Sequence, residues 1–136
     1  ALRDIVFRLT DTKIVPDNSK FELGQLIKEY VVISGLDSMD ARIKLWGTLK
    51  SIGGHRYIDG RMAGNIIRIY PVLGDSTNYE KTLVSDDHIE PEPCTSKAVV
   101  YNTSVCAGII SNLVKKILML EPVKWEYIID LFNISC

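Results

Sequence analysis

The 136-residue chain has the composition of an ordinary globular domain, with 46% hydrophobic residues, 24% charged residues and a formal net charge of -1. A chain of this length buries roughly two-thirds of the surface that its unfolded form exposes, so it can build a core without disulfides or metals. Sixteen Lys and Arg residues are matched by seventeen Asp and Glu residues, with no long block of one charge. This balance argues against a protein that binds nucleic acid or an anionic membrane surface.

The cysteines and the first residues favour a cytoplasmic protein, and neither the cysteines nor the histidines indicate a metal site. The three cysteines, Cys94, Cys106 and Cys136, are widely spaced and odd in number, which indicates neither a disulfide framework nor a zinc site. His55 and His88 have no second ligand at metal spacing, so we expect them at the surface. The segment ALRDIVFRL lacks the architecture of a signal peptide.

The first part of the chain alternates between helical and extended patterns. ALRDIVFRL has apolar residues at helical spacing, and because Ala1 offers no cap in front of them, we expect either missing upstream sequence or a short frayed helix. TKIVPD predicts a short strand that Pro16 limits, and FELGQLIKEY predicts one or two helical turns. YVVISGL, Tyr30 to Leu36, is apolar and β-branched, which predicts a parallel strand covered on both faces.

A helix and two adjacent strands are predicted next. Ser38 is a candidate N-cap for this helix, and the pair Gly53-Gly54 ends it. HRYIDGRMAGNIIRIYPVL predicts strands from Tyr57 to Met62 and from Asn65 to Val72 around a glycine-containing bend.

The remaining third contains a long loop, a helix and a strand. The polar stretch from Gly74 to Cys94 shows no core pattern, and loops of this length are usually functional or disordered. From Lys97 to about Leu120 the apolar residues recur at helical spacing, and the uncharged part of this helix falls short of a membrane span. WEYIIDLFNI, Trp125 to Ile134, predicts a final strand.

This order of elements predicts one mixed α/β domain with a partly parallel sheet. In open sheets of this kind ligands lie beyond the carboxyl ends of the strands, and Asp37 follows such an end. Its carboxylate is a hard oxygen ligand suited to Mg²⁺, but an Asp here could equally cap the next helix. The residues alone leave both roles open. Asp40 and Arg42 lie in the first turn of that helix, where we expect structural roles.

Three blocks of the chain resemble the ubiquitin-activating enzyme superfamily, which includes the ThiF-type adenylyltransferases of sulfur-carrier and cofactor biosynthesis. LDSMDARIKLW is similar to the family's strand, loop and helix with its metal-binding acid. YIDGRMAGNIIRIYPV resembles its next two strands, and EPCTSKAVVY resembles its Cys-Thr junction before a long helix. The blocks follow the family order from about Tyr30 to Leu120. The implied fold is the second half of a Rossmann-like ThiF-type adenylation domain, a mixed sheet with flanking helices.

The resemblance also implies an activity and its residues. The complete enzyme would bind Mg²⁺ and ATP and activate the C-terminal carboxylate of a ubiquitin-like or sulfur-carrier protein as an acyl-adenylate. Asp37 would bind the metal and take part in catalysis, and Asp37, Ser38 and Met39 would form the cofactor site. The loop 74–94 would cross over the carrier tail, and we expect a homodimer or a partner N-terminal half.

Cys94 stands where the ubiquitin-activating branch has the cysteine that accepts the acyl group as a thioester. A cysteine near a helix N-terminus has a lowered thiol pKa, and Lys97 would assist. Glu90 and Glu92 oppose ionisation of the thiol, and ThiF-type relatives often work without this thioester. Both outcomes therefore stay open.

The chain departs from the family pattern at its phosphate loop, because no GxGxxG motif occurs in the 136 residues. Residues 1–136 therefore resemble a single partial domain. The alternative function is a non-catalytic partner or interaction half of a split activating enzyme. A third alternative is an unrelated α/β module that shares only the fold.

Two other positions have simpler interpretations. Cys106 is expected to be a small buried hydrophobic residue of the long helix. Gly60 and Gly64 are expected to provide a bend and a close backbone approach, and Arg61 is expected to form a salt bridge with Asp59 or another acid.

Overall fold

The computed structural model describes residues 13, 15, 31–53, 56–85 and 100–133. Within these residues four strands form one mixed sheet in the order β1-β2-β3-β4. β1 and β2 are parallel, whereas the β2–β3 and β3–β4 pairs are antiparallel. The strands are β1 Val31–Ser34, β2 Arg56–Ala63, β3 Ile66–Val72 and β4 Tyr127–Asp130, and the helices are α1 Met39–Ile52, α2 Thr77–Glu80 and α3 Val100–Leu118. The predicted α/β class with a partly parallel sheet and flanking helices is confirmed.

Helix α1 connects the two parallel strands, and its ends are set by local sequence. The Ser38 side chain accepts a hydrogen bond from the backbone N–H of Ala41 at 3.2 Å, which satisfies one of the unpaired donors of the first turn. At the other end Gly53 has φ of 75° and donates its N–H to the Leu49 carbonyl. Both predicted boundaries are confirmed.

The β2–β3 hairpin turns over two residues, Gly64 and Asn65. Ala63 pairs with Ile66 on either side of the turn, and Gly64 has φ of 54°. A positive φ at the first turn position suits the right-handed twist of a two-residue hairpin, and glycine adopts it without steric cost. The predicted bend is confirmed, and both strands begin and end within a residue of the predicted limits.

The sheet has a core on each face, because successive side chains of a strand point to opposite sides. On one face α1 and α2 cover the first core, and on the other α3 covers the second. The buried residues of the first core are Leu45, Leu49, Tyr57, Tyr70, Val72 and Tyr79. Those of the second are Ile58, Ile67, Ile69, Cys106, Leu113 and Ile117.

Two predicted strands are shorter or less covered than expected. β1 consists of Val31–Ser34. Val32 packs against the first core and Val31 against the second, but Ile33 on the α3 face is 52% exposed, so coverage on that face is incomplete. β4 ends at Asp130, whose carboxylate accepts hydrogen bonds from the backbone N–H of Phe132 and the side-chain amide of Asn133. This side-chain capping bends the backbone out of the sheet before the predicted strand end.

The segment after β3 contributes to the core, which the sequence did not predict. Residues Thr77–Glu80 form the short helix α2, and Tyr79 is 3% exposed within the first core. The expectation of a stretch without core residues was wrong for this part. A single aromatic residue among polar neighbours has no periodicity that would have revealed it.

Some predictions lie outside the described residues. They concern the ALRDIVFRL helix, most of TKIVPD, the FELGQLIKEY turns, His55, His88, Cys94 and Cys136. In the part of the chain that the structure describes, no helix is both long and apolar enough to cross a membrane.

Candidate functional site

Asp37 lies in the bend between β1 and α1, beyond the carboxyl end of β1, and it is exposed. Among the described residues it has no hydrogen-bond or ion-pair partner. The helix-capping role that the sequence left open belongs to Ser38. Asp37 therefore presents a carboxylate to solvent at the end of a parallel strand, which is where ligands of open α/β sheets lie.

The two residues that follow Asp37 are engaged in the start of α1. The Ser38 hydroxyl forms the cap, and Met39 is 9% exposed. Both side chains therefore contribute to the structure of the loop and of the first turn of α1.

Arg42 lies beneath this loop and contacts both of its ends. Its side chain is buried, and it donates hydrogen bonds to the carbonyl oxygens of Leu36 and Gly60. Its Nη1 lies 3.7 Å from the Met39 Sδ, and its Nε donates to Asp59 Oδ1 at 3.0 Å. Arg42 thus has the structural role that its position predicts, since it ties the Asp37 loop to β2.

Asp59, in the middle of β2, is the common partner of the polar side chains on this face. It is 0% exposed and lies opposite Ser34 of β1 in the sheet register. Besides Arg42 Nε, Asp59 accepts hydrogen bonds from Ser34 Oγ at 3.2 Å and from Arg61 Nε at 2.7 Å. The Tyr79 hydroxyl lies 3.2 Å from its Oδ2. A carboxylate so fully supplied with donors serves as an internal counter-ion.

Arg61 extends the network to the segment after β3. Its Nη1 and Nη2 donate to the carbonyl oxygen and the hydroxyl of Thr82, at 3.1 Å and 3.0 Å. Its guanidinium lies over the rings of Tyr70 and Tyr79, at 4.5 Å and 5.5 Å from their centroids. Burial alone would lower the pKa of Arg61, but the hydrogen bond and charge of Asp59 outweigh it and raise that pKa. The predicted Arg61–Asp59 salt bridge is confirmed.

The tyrosines beside Asp59 are held in their neutral form. Burial is the main cause that raises the pKa of Tyr57 and of Tyr79, and the negative charge of Asp59 is the next. The two hydroxyl groups lie 3.4 Å apart. Both hydroxyl groups are therefore protonated well above neutral pH, and that of Tyr79 is a hydrogen-bond donor to the Asp59 carboxylate.

Gly60 allows the long helix to approach the sheet closely. A Cβ at this position would lie 3.1 Å from Ile110 Cδ1 and 3.4 Å from Cys106 Sγ, both on α3. Cys106 is buried, and burial, then the charge of Asp59, raises the pKa of its thiol. The close backbone approach and the inert buried cysteine are both confirmed.

A separate cavity of about 500 Å³ opens near the C-terminal end of α1, the end opposite to Asp37. The cavity lies between the C-terminal half of α1, the first residue of β2 and the end of β3. Its lining consists of Trp46, Leu49, Lys50, Gly53, Arg56, Val72, Leu73, Gly74 and Ser76. Lys50 is already paired there with Glu80 at 2.9 Å.

The described residues contain no group of three or more His, Cys, Asp or Glu side chains that could hold a metal ion by themselves. Magnesium commonly uses only one or two protein carboxylates, with phosphates and water completing its shell. An exposed Asp37 is compatible with that kind of site. Asp59 is excluded because its oxygens are committed to arginine, serine and tyrosine donors.

The burial of Asp59 was not predicted from the sequence, although its pairing with Arg61 was. Its strand position offered one signal, because Tyr57 and Asp59 are two residues apart and so share a face of β2. An acid on the buried face of a strand requires a cation. The second cation, Arg42, is 17 positions away and could not be assigned without the fold.

No protein-family model matches this chain, and no curated protein matches it at a significant level.

Proposed function

We propose that the chain is the C-terminal part of an ATP-dependent adenylyltransferase of the ThiF type. The complete protein activates the C-terminal carboxylate of a ubiquitin-like or sulfur-carrier protein as an acyl-adenylate. The observation that carries this proposal is the exposed Asp37 carboxylate beyond β1, on a loop that Arg42 ties to the neighbouring parallel strand. The residue blocks that resemble the ThiF family support it.

The residues present fit a magnesium site with one protein carboxylate as ligand. Asp37 supplies one hard oxygen ligand, and the nucleotide phosphates supply others. Magnesium bound there would neutralise negative charge while the carrier carboxylate attacks the α-phosphate of ATP and pyrophosphate leaves. Asp37 holds that site, Arg42 fixes the loop, and Ser38 and Met39 shape the loop through the start of α1.

Other parts of the proposal concern residues outside the described ranges. Cys94 is the proposed acceptor of the activated carrier as a thioester. The loop 74–94 is the proposed cover of the carrier tail, and its described part, to Ser85, packs against the sheet through Tyr79 and Thr82. The proposed partners are the carrier protein and either a second copy or an N-terminal half, in the cytoplasm.

ATP–pyrophosphate exchange tests this function. The assay uses the complete gene product with a panel of ubiquitin-like and sulfur-carrier proteins from the same source. Asp37→Asn should lower exchange by about 100-fold or more, since it removes charge stabilisation at the reacting phosphate. Asp130→Asn is the matched control, because Asp130 is also exposed but lies on β4, at the opposite edge of the sheet from β1, where it bonds to Phe132 and Asn133. Near-normal exchange in Asp37→Asn would contradict the proposed metal role.

The same assay separates the alternative of a non-catalytic partner half, which the absent GxGxxG motif favours. In that case exchange requires a second chain that carries the phosphate loop, and Asp37→Asn leaves the rate unchanged. Tight binding of Mg-ATP by residues 1–136 alone would argue against both readings and for an unrelated nucleotide-binding module.

A further inference from the structure

The Asp59 network joins two segments that are far apart in the chain. One is the loop from Leu36 to Met39, which carries Asp37. The other is the segment from Ser76 to Ser85, which belongs to the proposed cover of the carrier tail. The first lies between β1 and α1, and the second contains the short helix α2 and the residues that follow it. Side-chain hydrogen bonds attach both segments to the sheet.

Each segment is attached to Asp59 through its own arginine, and the second segment also through the Tyr79 hydroxyl. Arg42 donates to Asp59 and to the carbonyl oxygens of Leu36 and Gly60, whereas Arg61 donates to Asp59 and twice to Thr82. The two arginines use different oxygens of the carboxylate, Oδ1 for Arg42 and Oδ2 for Arg61. Each arm can therefore be removed while the other keeps its partner.

We propose that Asp59 is a positioning residue with two independent arms, one placing the metal-binding loop through Arg42 and the other placing the carrier-side segment through Arg61. The arginine fork is suited to this task, because its planar donors bind a carboxylate and a backbone carbonyl at fixed angles. Asp59 itself is 0% exposed and would act through the two arginines. The assignment of each arm to a substrate rests on the proposed function, whereas the attachment of the two segments does not.

Hydrogen–deuterium exchange of the complete protein tests the attachment without any ligand. The reporting amides of the first arm are those of residues 41 and 42, which bond to Ser38. Those of the second arm are Thr82 and Leu83, which bond to Tyr79 and Glu80. Arg42→Met should accelerate exchange in the first set, and Arg61→Met in the second, by about tenfold or more, since hydrogen bonds to charged groups are among the stronger ones.

Arg68→Met is the matched control. Arg68 lies directly opposite Arg61 in the β2–β3 register, its side chain is 51% exposed, and its ion pair is with Glu126 at 3.7 Å. It should leave both sets of amides protected. Asp59→Asn should accelerate both sets. If each single arginine variant accelerated both sets equally, together with the amides of α3, the network would only stabilise the core and the proposal would be wrong.

Pyrophosphate exchange then provides a second test, because a purely structural role would change the KM for Mg-ATP and the KM for the carrier alike in both variants. Arg42→Met should raise the KM for Mg-ATP several-fold, and Arg61→Met should raise the KM for the carrier that supports exchange in the panel. Equal changes in both constants for both variants would overturn the assignment of the arms. A wild-type protein that shows no exchange with any carrier would overturn the proposed function, while the deuterium experiment would still decide whether Asp59 holds the two segments.

Discussion

Replacing Asp59 with Asn should destabilise the protein strongly. The substitution keeps the size of the side chain but removes the charge that neutralises Arg42, which is 5% exposed, and Arg61, whose side chain is 16% exposed. Removing one partner of a buried ion pair costs about 3–5 kcal/mol, because the remaining charge is left without compensation in a poorly solvated site. This is a large part of the roughly 5–15 kcal/mol that stabilises a typical domain.

Urea unfolding measures this cost. With a slope of about 2 kcal/mol per M urea, a loss of that size lowers the midpoint by about 2 M. Asp37→Asn is the matched control, because Asp37 is exposed and has no bonding partner among the described residues, so its midpoint should not change. The costs of Asp59→Asn and Arg42→Met should be less than additive in the double variant, since both remove the same pair. A loss below about 1 kcal/mol for Asp59→Asn would refute the argument that two buried arginines depend on this carboxylate.

Three further measurements test other parts of the structure. The hydrogen bond from Lys50, and after it the one from Ser76, lowers the pKa of Glu80. Glu80→Gln should therefore destabilise the fold at pH values above the ordinary pKa of 4.5. The difference in stability from the wild type should vanish as the pH falls through the lowered pKa of Glu80. Thermal unfolding should show that Gly47→Ala, which adds a methyl group in open space on α1, stabilises the protein by about 0.5–1 kcal/mol. Gly60→Val, whose side chain would be crowded by α3, should destabilise it by about 1–3 kcal/mol. A stabilising Gly60→Val together with a destabilising Gly47→Ala would contradict the described packing. A reductant-sensitive carrier adduct should disappear in Cys94→Ala, and an adduct that persists excludes Cys94 as the nucleophile.

The elements that the sequence predicted best are those whose limits are set by neighbouring residues. Ser38 and Gly53 determine the ends of α1, and the Gly64 turn determines the hairpin, so their signals lie within a few positions of the structure they specify. The β-branched and aromatic pattern of the two hairpin strands agrees with these local signals.

The features that could not be predicted depend on contacts between distant positions. Tyr79 enters the core because its ring packs against Trp46, Tyr57 and Tyr70, which come from three other elements. Asp59 becomes an internal counter-ion only when α1 brings Arg42 over the sheet. Tyr79 has no periodic neighbour pattern, and for Asp59 the strand alternation indicates only the face, so the partners of both residues depend on tertiary packing that one sequence does not display.

Asp37, beyond the end of β1, and Asp59, in the middle of β2, illustrate how surroundings assign different roles to the same side chain. Asp37 and Asp59 are both acids that follow or end an apolar run, but Asp37 is exposed and Asp59 is enclosed by donors. A carboxylate in water keeps its lone pairs available for a hard cation, whereas one held by two guanidinium groups has none to offer.

The same charge balance limits what the arginines can do in the proposed reaction. Basic residues near a phosphate site are usually expected to bind the phosphates, but Arg42 and Arg61 share the single charge of Asp59, and several of their other donors bond to backbone and Thr82 oxygens. Releasing either one for ATP would break its hydrogen bonds to Asp59 and to the segment that it holds, although Asp59 would keep the other arginine as its counter-ion. In the proposed reaction the two arginines would therefore keep their structural roles, and the positive charge at the triphosphate would come from magnesium at Asp37 and from other groups.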